Sequence, residues 1–95
     1  MGDDMTIELT RFRADDALAL RTARPGMLAD FRADRDGFID ARLVQLPDDE
    51  WLDIVEWRSD ADLAASRAKG ANLPGIERFF AAIDALVASE QGELA

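Results

Sequence analysis

Trp51-Leu52-Asp53-Ile54-Val55-Glu56-Trp57-Arg58-Ser59 is the stretch on which the fold turns. It is rich in aromatic and β-branched residues, which suit a pleated and largely covered surface. As a strand it has period two, so Trp51, Asp53, Val55 and Trp57 share one face and Leu52 and Ile54 the other. Both faces carry large apolar side chains, and both therefore need a cover. Upstream, Pro47-Asp48-Asp49 has turn chemistry, since proline fixes φ and aspartates bond back to the backbone. Before it, Phe38-Ile-Asp-Ala-Arg-Leu-Val-Gln-Leu46 reads as another strand, so the two form an antiparallel hairpin.

Working outward, Thr6-Ile-Glu-Leu-Thr-Arg-Phe12 alternates polar and apolar residues as a half-buried strand does. Asp15 and Asp16 stand where an N-cap is expected. Beyond them Ala17, Leu20, Arg24, Met27, Leu28 and Phe31 fall at spacings that stack on one helix face. Pro25 lies within this pattern, and its missing N–H predicts a kink or a split. Gly37 closes the segment. After the hairpin, Ser59 and Asp62 resemble a capping box opening a helix whose Ala61, Ala64, Ala65 and Ala68 allow close packing on a sheet. Gly70 stops that helix. Past Pro74, Ile76, Phe79, Phe80 and Ile83 again have helical spacing. For the C-terminal stretch, periodicity leaves two readings open: a helix prolonged to about Glu90, or a strand over 85–94.

Composition narrows the function. Ninety-five residues predict one domain, 1–95, with a thin core. With no cysteine, disulfides, thiolate metal sites and thiol nucleophiles are excluded. With no histidine, the commonest metal ligand and the usual neutral-pH base are missing. Tyrosine is absent too. A net charge of −9 argues against nucleic acid, which needs clustered cations. No apolar run is long enough to span a membrane, and the first ten residues lack the features of a signal peptide, so a cytoplasmic location is expected. Asp34, Asp36, Gly37, Ile39 and Asp40 imitate a calcium loop. However, the register that centres Gly37 puts Arg32 first and Leu43 twelfth, where carboxylates are required. No metal or other cofactor is expected.

The order βαββα, the interrupted first helix, the run Gly37-Phe-Ile-Asp-Ala-Arg-Leu43 and the stretch Trp51–Ser59 leading into an alanine-rich helix together resemble the dimeric α+β barrel superfamily. More narrowly, residues 5–85 are similar to antibiotic-biosynthesis monooxygenase-like domains. The resemblance implies an α+β, ferredoxin-like βαββαβ unit with an antiparallel sheet, a fourth strand near the C-terminus, and a homodimer joined through sheet faces. It also implies a small cavity between sheet and helices. Some members of the group oxidise polyphenols with molecular oxygen and neither metal nor flavin, while others degrade haem. The lack of histidine argues against haem degradation, and the lack of tyrosine removes one way of orienting a phenol.

Two functions from different classes follow. One is a cofactor-independent monooxygenase-like protein acting on or binding a small aromatic or polyketide-like molecule. In that case Arg24 would stabilise a substrate oxyanion, and Asp53 would accept a proton. Trp51, Trp57, Met27, Phe31 and Phe79 would hold the ring, with Asn72 a further polar contact. The other is a non-catalytic dimeric module for ligand binding or assembly. The ordinary use of the same residues is core packing for the aromatics and Met27, and snorkelling or capping for Arg24.

Overall fold

The computed structural model describes residues 5–95. Chain order is β1 (Thr6–Arg13), α1 (Ala17–Asp34), β2 (Phe38–Gln45), β3 (Glu50–Trp57), α2 (Asp60–Lys69), α3 (Pro74–Ala81) and β4 (Ala85–Glu93). The four strands form one antiparallel sheet in the order β2-β3-β1-β4, and this is a ferredoxin-like α+β fold. Of the two readings of the C-terminal stretch, the strand is the observed one. It pairs with β1 along its length, and a bulge at Val87 separates the pairs Arg11–Ala88 and Phe12–Leu86.

Local chemistry accounts for the element ends. Asp16 caps α1 by accepting from the Ala19 amide at 3.0 Å. Ser59 caps α2 by accepting from the Asp62 amide. The Asp62 carboxylate does not complete the reciprocal box, because it is held by the Ser59 hydroxyl and the Arg58 guanidinium. Gly37 has φ 80°, and a Cβ there would lie 2.2 Å from that same carboxylate. Both the backbone angle and the neighbour therefore demand glycine. The β2–β3 connection holds Asp48 and Asp49 at φ 64° and 60°, a left-handed conformation that aspartate tolerates better than most residues.

One expectation is narrowed and one corrected. Of the kink or split expected at Pro25, the split is excluded, since α1 runs unbroken over 18 residues. Leu20 and Arg24 before the proline, and Met27 and Phe31 after it, bury on one face of the same core, which carries the helix across the lost hydrogen bond. The alanine face of α2 does not pack on the sheet: Ala61, Ala64, Ala65 and Ala68 are exposed, whereas Leu63 and Ser66 are buried. A leucine removes far more apolar area from water than an alanine, so Leu63 sets the docked face.

The core lies between the helices and one face of the sheet. Trp51, Asp53, Val55 and Trp57 of β3 point into it, as period two requires. Phe31, Phe38 and Trp57 form an aromatic cluster with centroids 5.5–6.0 Å apart, and Phe12 meets Phe79 edge-on. The helices α1 and α3 approach closely at Gly26 and Gly75. A Cβ on Gly75 would stand 2.4 Å from the Gly26 carbonyl oxygen. There Asp30 of α1 accepts the Gly75 amide at 2.7 Å and so caps α3, whose Leu73 offers no side-chain cap.

Strand β1 is set against its own polarity. Its ladder partners place Thr6, Glu8, Thr10 and Phe12 opposite Trp57, Val55, Asp53 and Trp51, on the helix-covered face. Ile7 and Leu9 consequently lie on the helix-free face, beside Leu52 and Ile54 of β3. Val44 of β2, paired with Leu52, extends this apolar surface. Polar side chains thus enter the interior while aliphatic ones face outward.

Candidate functional site

Glu8 and Thr10 of β1 form part of the floor of a cavity of about 450 Å³ between the sheet and the three helices. Met27 and Phe31 reach it from α1, Leu63, Ser66 and Arg67 from α2, and Phe79 and Phe80 from α3. Phe12, Val55 and Trp57 complete its apolar floor. Polar groups interrupt this wall at Glu8, Thr10, Asp53, Arg35, Ser66 and Ser89. Ser89, Thr10 and Asp53 are lateral neighbours on three adjacent strands and make one polar rung across the floor. Phe80 and Leu86, 43% and 69% exposed, bring one side of the wall to the surface. Phe12, Met27, Trp57, Leu63 and Phe79 are each about 1% exposed, so the open part of this space lies beside Arg67, Phe80, Leu86 and Ser89; its volume falls in the range of small-molecule sites.

Among the residues singled out from sequence, Asp53, Trp57, Met27, Phe31 and Phe79 are brought together in the wall. Arg24, Trp51 and Asn72 lie outside it. Arg24 and Asp53 engage one another: two parallel hydrogen bonds of 2.7 and 2.8 Å join the guanidinium to both carboxylate oxygens. The pair is buried, and the guanidinium lies against the Phe79 ring and the Met27 sulfur. Arg24 does not reach the cavity wall, and the charge of Asp53 is already matched by a buried guanidinium. Trp51 donates its indole N–H to the Ala14 carbonyl at 3.0 Å, and Arg21 lies over its ring, which ties it to the strand–helix corner.

Asn72 belongs to a different cluster, built around the buried Arg35. That guanidinium donates to the Ser66 hydroxyl, the Asp34 carboxylate, the Asn72 side-chain oxygen and the Gly70 carbonyl, and it stacks on Phe31. Arg35 touches the cavity and pins the C-terminus of α1 to α2. Hydrogen bonds from Asn72 and then Lys69, with the nearby charges of Lys69 and Arg35, hold the Asp34 carboxyl below the usual carboxylate range against the opposing effect of burial. The Asp62 carboxyl is lowered likewise, by hydrogen bonds from Arg58 and then Ser59 and by the Arg58 charge. Asp34 is thus engaged with cations and Asn72, and Asp40 pairs with Arg32. Among the described residues no three His, Cys, Asp or Glu side chains converge as a metal site.

Sequence reasoning missed Arg35 and Glu8. Arg35 follows directly after a helix end, where an arginine ordinarily meets solvent, and its burial depends on Ser66 and Gly70 far along the chain. Glu8 occupies a polar position of an alternating strand and would be assigned to water. Here its carboxylate accepts the Trp57 indole N–H at 3.1 Å.

No family model matches the chain, and neither does the sequence of any curated protein. Solved structures do match over nearly its whole length. An antibiotic-biosynthesis-monooxygenase-like protein of Bordetella bronchiseptica superposes with a TM-score of 0.79 at 8% identity, covering 98% of this chain and 99% of that one. SnoaB of Streptomyces nogalater, a cofactor-independent oxygenase, gives 0.67 at 22% identity, with 97% and 92% covered. A monooxygenase-like protein of Chloroflexus aurantiacus gives 0.65 at 18% identity, with 96% and 93% covered. At these identities the likeness is one of architecture. The chain has the fold of the antibiotic-biosynthesis monooxygenase-like proteins, with a cavity between sheet and helices.

Proposed function

We propose that this protein binds a small, flat, largely apolar molecule in the cavity, and that it acts on it as a cofactor-independent oxygenase of the kind that SnoaB represents. The observation carrying this reading is the cavity itself, about 450 Å³ and walled by Phe31, Trp57 and Phe79 with a polar rung at one side. Stacked and edge-on rings favour a planar guest. Such chemistry balances with no added reductant: an activated ring CH₂ and O₂ give a ring C=O and water, the substrate supplying all the electrons. The protein's part is to hold the ring and exclude bulk water.

The functional unit in this proposal is a homodimer. Ile7, Leu9, Val44, Leu52 and Ile54 lie on the helix-free face of the sheet, interspersed with Arg11, Arg42, Glu56 and Glu90, while β1 sends Thr6, Glu8 and Thr10 inward. A second copy's sheet is the cover that this surface fits. Sedimentation velocity is expected to give twice the chain mass of 10.5 kDa at micromolar concentration, and a stable monomer would contradict this part.

A second reading, binding without turnover, is favoured by one observation: the buried carboxylate Asp53 already has both oxygens on Arg24. Oxygen uptake with hydroxylated two- and three-ring aromatics, against a Val55→Phe variant that fills the cavity, separates the two. Uptake that the filled variant loses supports the oxygenase. Quenching of Trp57 fluorescence without uptake leaves binding alone, and neither signal would refute the cavity as a ligand site.

Among the described residues no helix is long and apolar enough to cross a membrane.

A further inference from the structure

We infer that Glu8 is the specificity-determining group of this cavity, selecting ligands that present a hydrogen-bond donor and rejecting those that present an anion. The inference rests on the reading of the cavity as a small-molecule site.

Glu8 is one of two carboxylates in the wall. The other, Asp53, is neutralised at 2.7 and 2.8 Å by a buried guanidinium. Glu8 is not matched in that way. Its cation is Arg67, at 3.5 Å on a side chain that is half exposed and also reaches Gln91. At that length and exposure the attraction is weak. The firm contact of Glu8 is the Trp57 indole N–H at 3.1 Å, a neutral donor that orients the carboxylate without cancelling its charge. A carboxylate has about four acceptor positions, and these two donors leave capacity for more.

Placement gives this capacity a use. Glu8 points to the helix-covered face because β1 is registered with Val55 opposite it, and its side chain is 17% exposed. A flat guest lying on Trp57 and Val55 would bring its edge to Glu8. A hydroxyl or amine there would gain a hydrogen bond to a charged acceptor in a poorly hydrated site. An ether would gain none, and a carboxylate would be repelled by Glu8, the Arg35 guanidinium in the same wall being already engaged by Ser66, Asp34, Asn72 and Gly70.

Isothermal titration of three probes with the full chain tests this: 2-naphthol, 2-methoxynaphthalene and 2-naphthoate. In the parent protein 2-naphthol is expected to bind roughly tenfold tighter than the methyl ether, the usual scale of a hydrogen bond to a charged group, with 2-naphthoate weakest. In Glu8→Gln, which retains an acceptor for Trp57, the preference for 2-naphthol should fall to about twofold and 2-naphthoate should gain. The methyl ether's affinity should not change, which shows that the cavity is intact. Equal binding of 2-naphthol and the ether, an unaltered preference in Glu8→Gln, or tightest binding of 2-naphthoate (recognition by Arg67 instead) would each overturn the inference while leaving the cavity as a binding site. Binding of none of the three would overturn the reading on which it rests.

Discussion

Removing Asp53 alone should be among the most damaging single changes in this protein. Its carboxylate and the Arg24 guanidinium have side chains only 11% and 10% exposed and meet at 2.7 Å. Charge centres about 4 Å apart at an effective dielectric of about 20 attract by about 4 kcal/mol. Desolvating the two ions costs several kcal/mol each, so the intact pair contributes little net stability. Asp53→Ala removes the attraction but leaves the guanidinium buried against Phe79 and Met27. The expected loss is about 3–5 kcal/mol. A domain of this size is stable by about 5–15 kcal/mol, so roughly a fifth or more of the total is at stake. The double variant Arg24→Met/Asp53→Leu removes both charges and replaces them with apolar volume, and it should fall within about 2 kcal/mol of the parent. Urea unfolding followed by tryptophan fluorescence measures all of these, with a constant slope confirming comparable transitions. A loss below about 1 kcal/mol for Asp53→Ala, or a double variant no more stable than the single one, would refute the buried-pair argument.

Gly75→Ala should destabilise by about 2–3 kcal/mol, because its Cβ meets the backbone of Gly26 at 2.4 Å and α1 and α3 must separate; an unchanged urea midpoint would show that the helices are not so closely engaged. Asp34 and Asp62 both have carboxyls held below the usual range when folded. The stability they confer is complete above about pH 4 and is lost as pH falls through their lowered values. Asn72→Ala, which removes the largest cause of the Asp34 shift, should make stability fall less steeply between about pH 4 and 2, and parallel curves for the two proteins would rule that origin out.

Much of the fold was legible because local signals agreed with one another. Trp51–Trp57 read as a strand from its aromatic and β-branched content, its flanking turn and capping residues marked the neighbours, and the helical spacing of Leu20, Arg24, Met27 and Phe31 named the buried face of α1. The C-terminal strand was not legible from periodicity. Every residue of β4 is exposed, so no buried face left its imprint, and only pairing with β1 defines it.

The site was half legible for the same reason. Aromatics at regular spacing identify an interior, and Trp57, Phe31 and Phe79 were found that way. Which polar side chains share that interior depends on pairings between distant residues. Arg24 and Asp53 are 29 positions apart, and nothing in either helix or strand announces that they cancel. Glu8 shows the opposite failure: alternation gives its side but not which side is covered. Register with β3 and the position of the helices decide that.

If the space beside Val55 and Trp57 receives a flat organic molecule, a crystal of the protein soaked with 2-naphthol will hold it there. The ring system is expected between Trp57 and Phe79 with its hydroxyl at the Glu8 carboxylate. Ordered water throughout that space, with the aromatic compound found only at the molecular surface or not at all, would contradict this expectation.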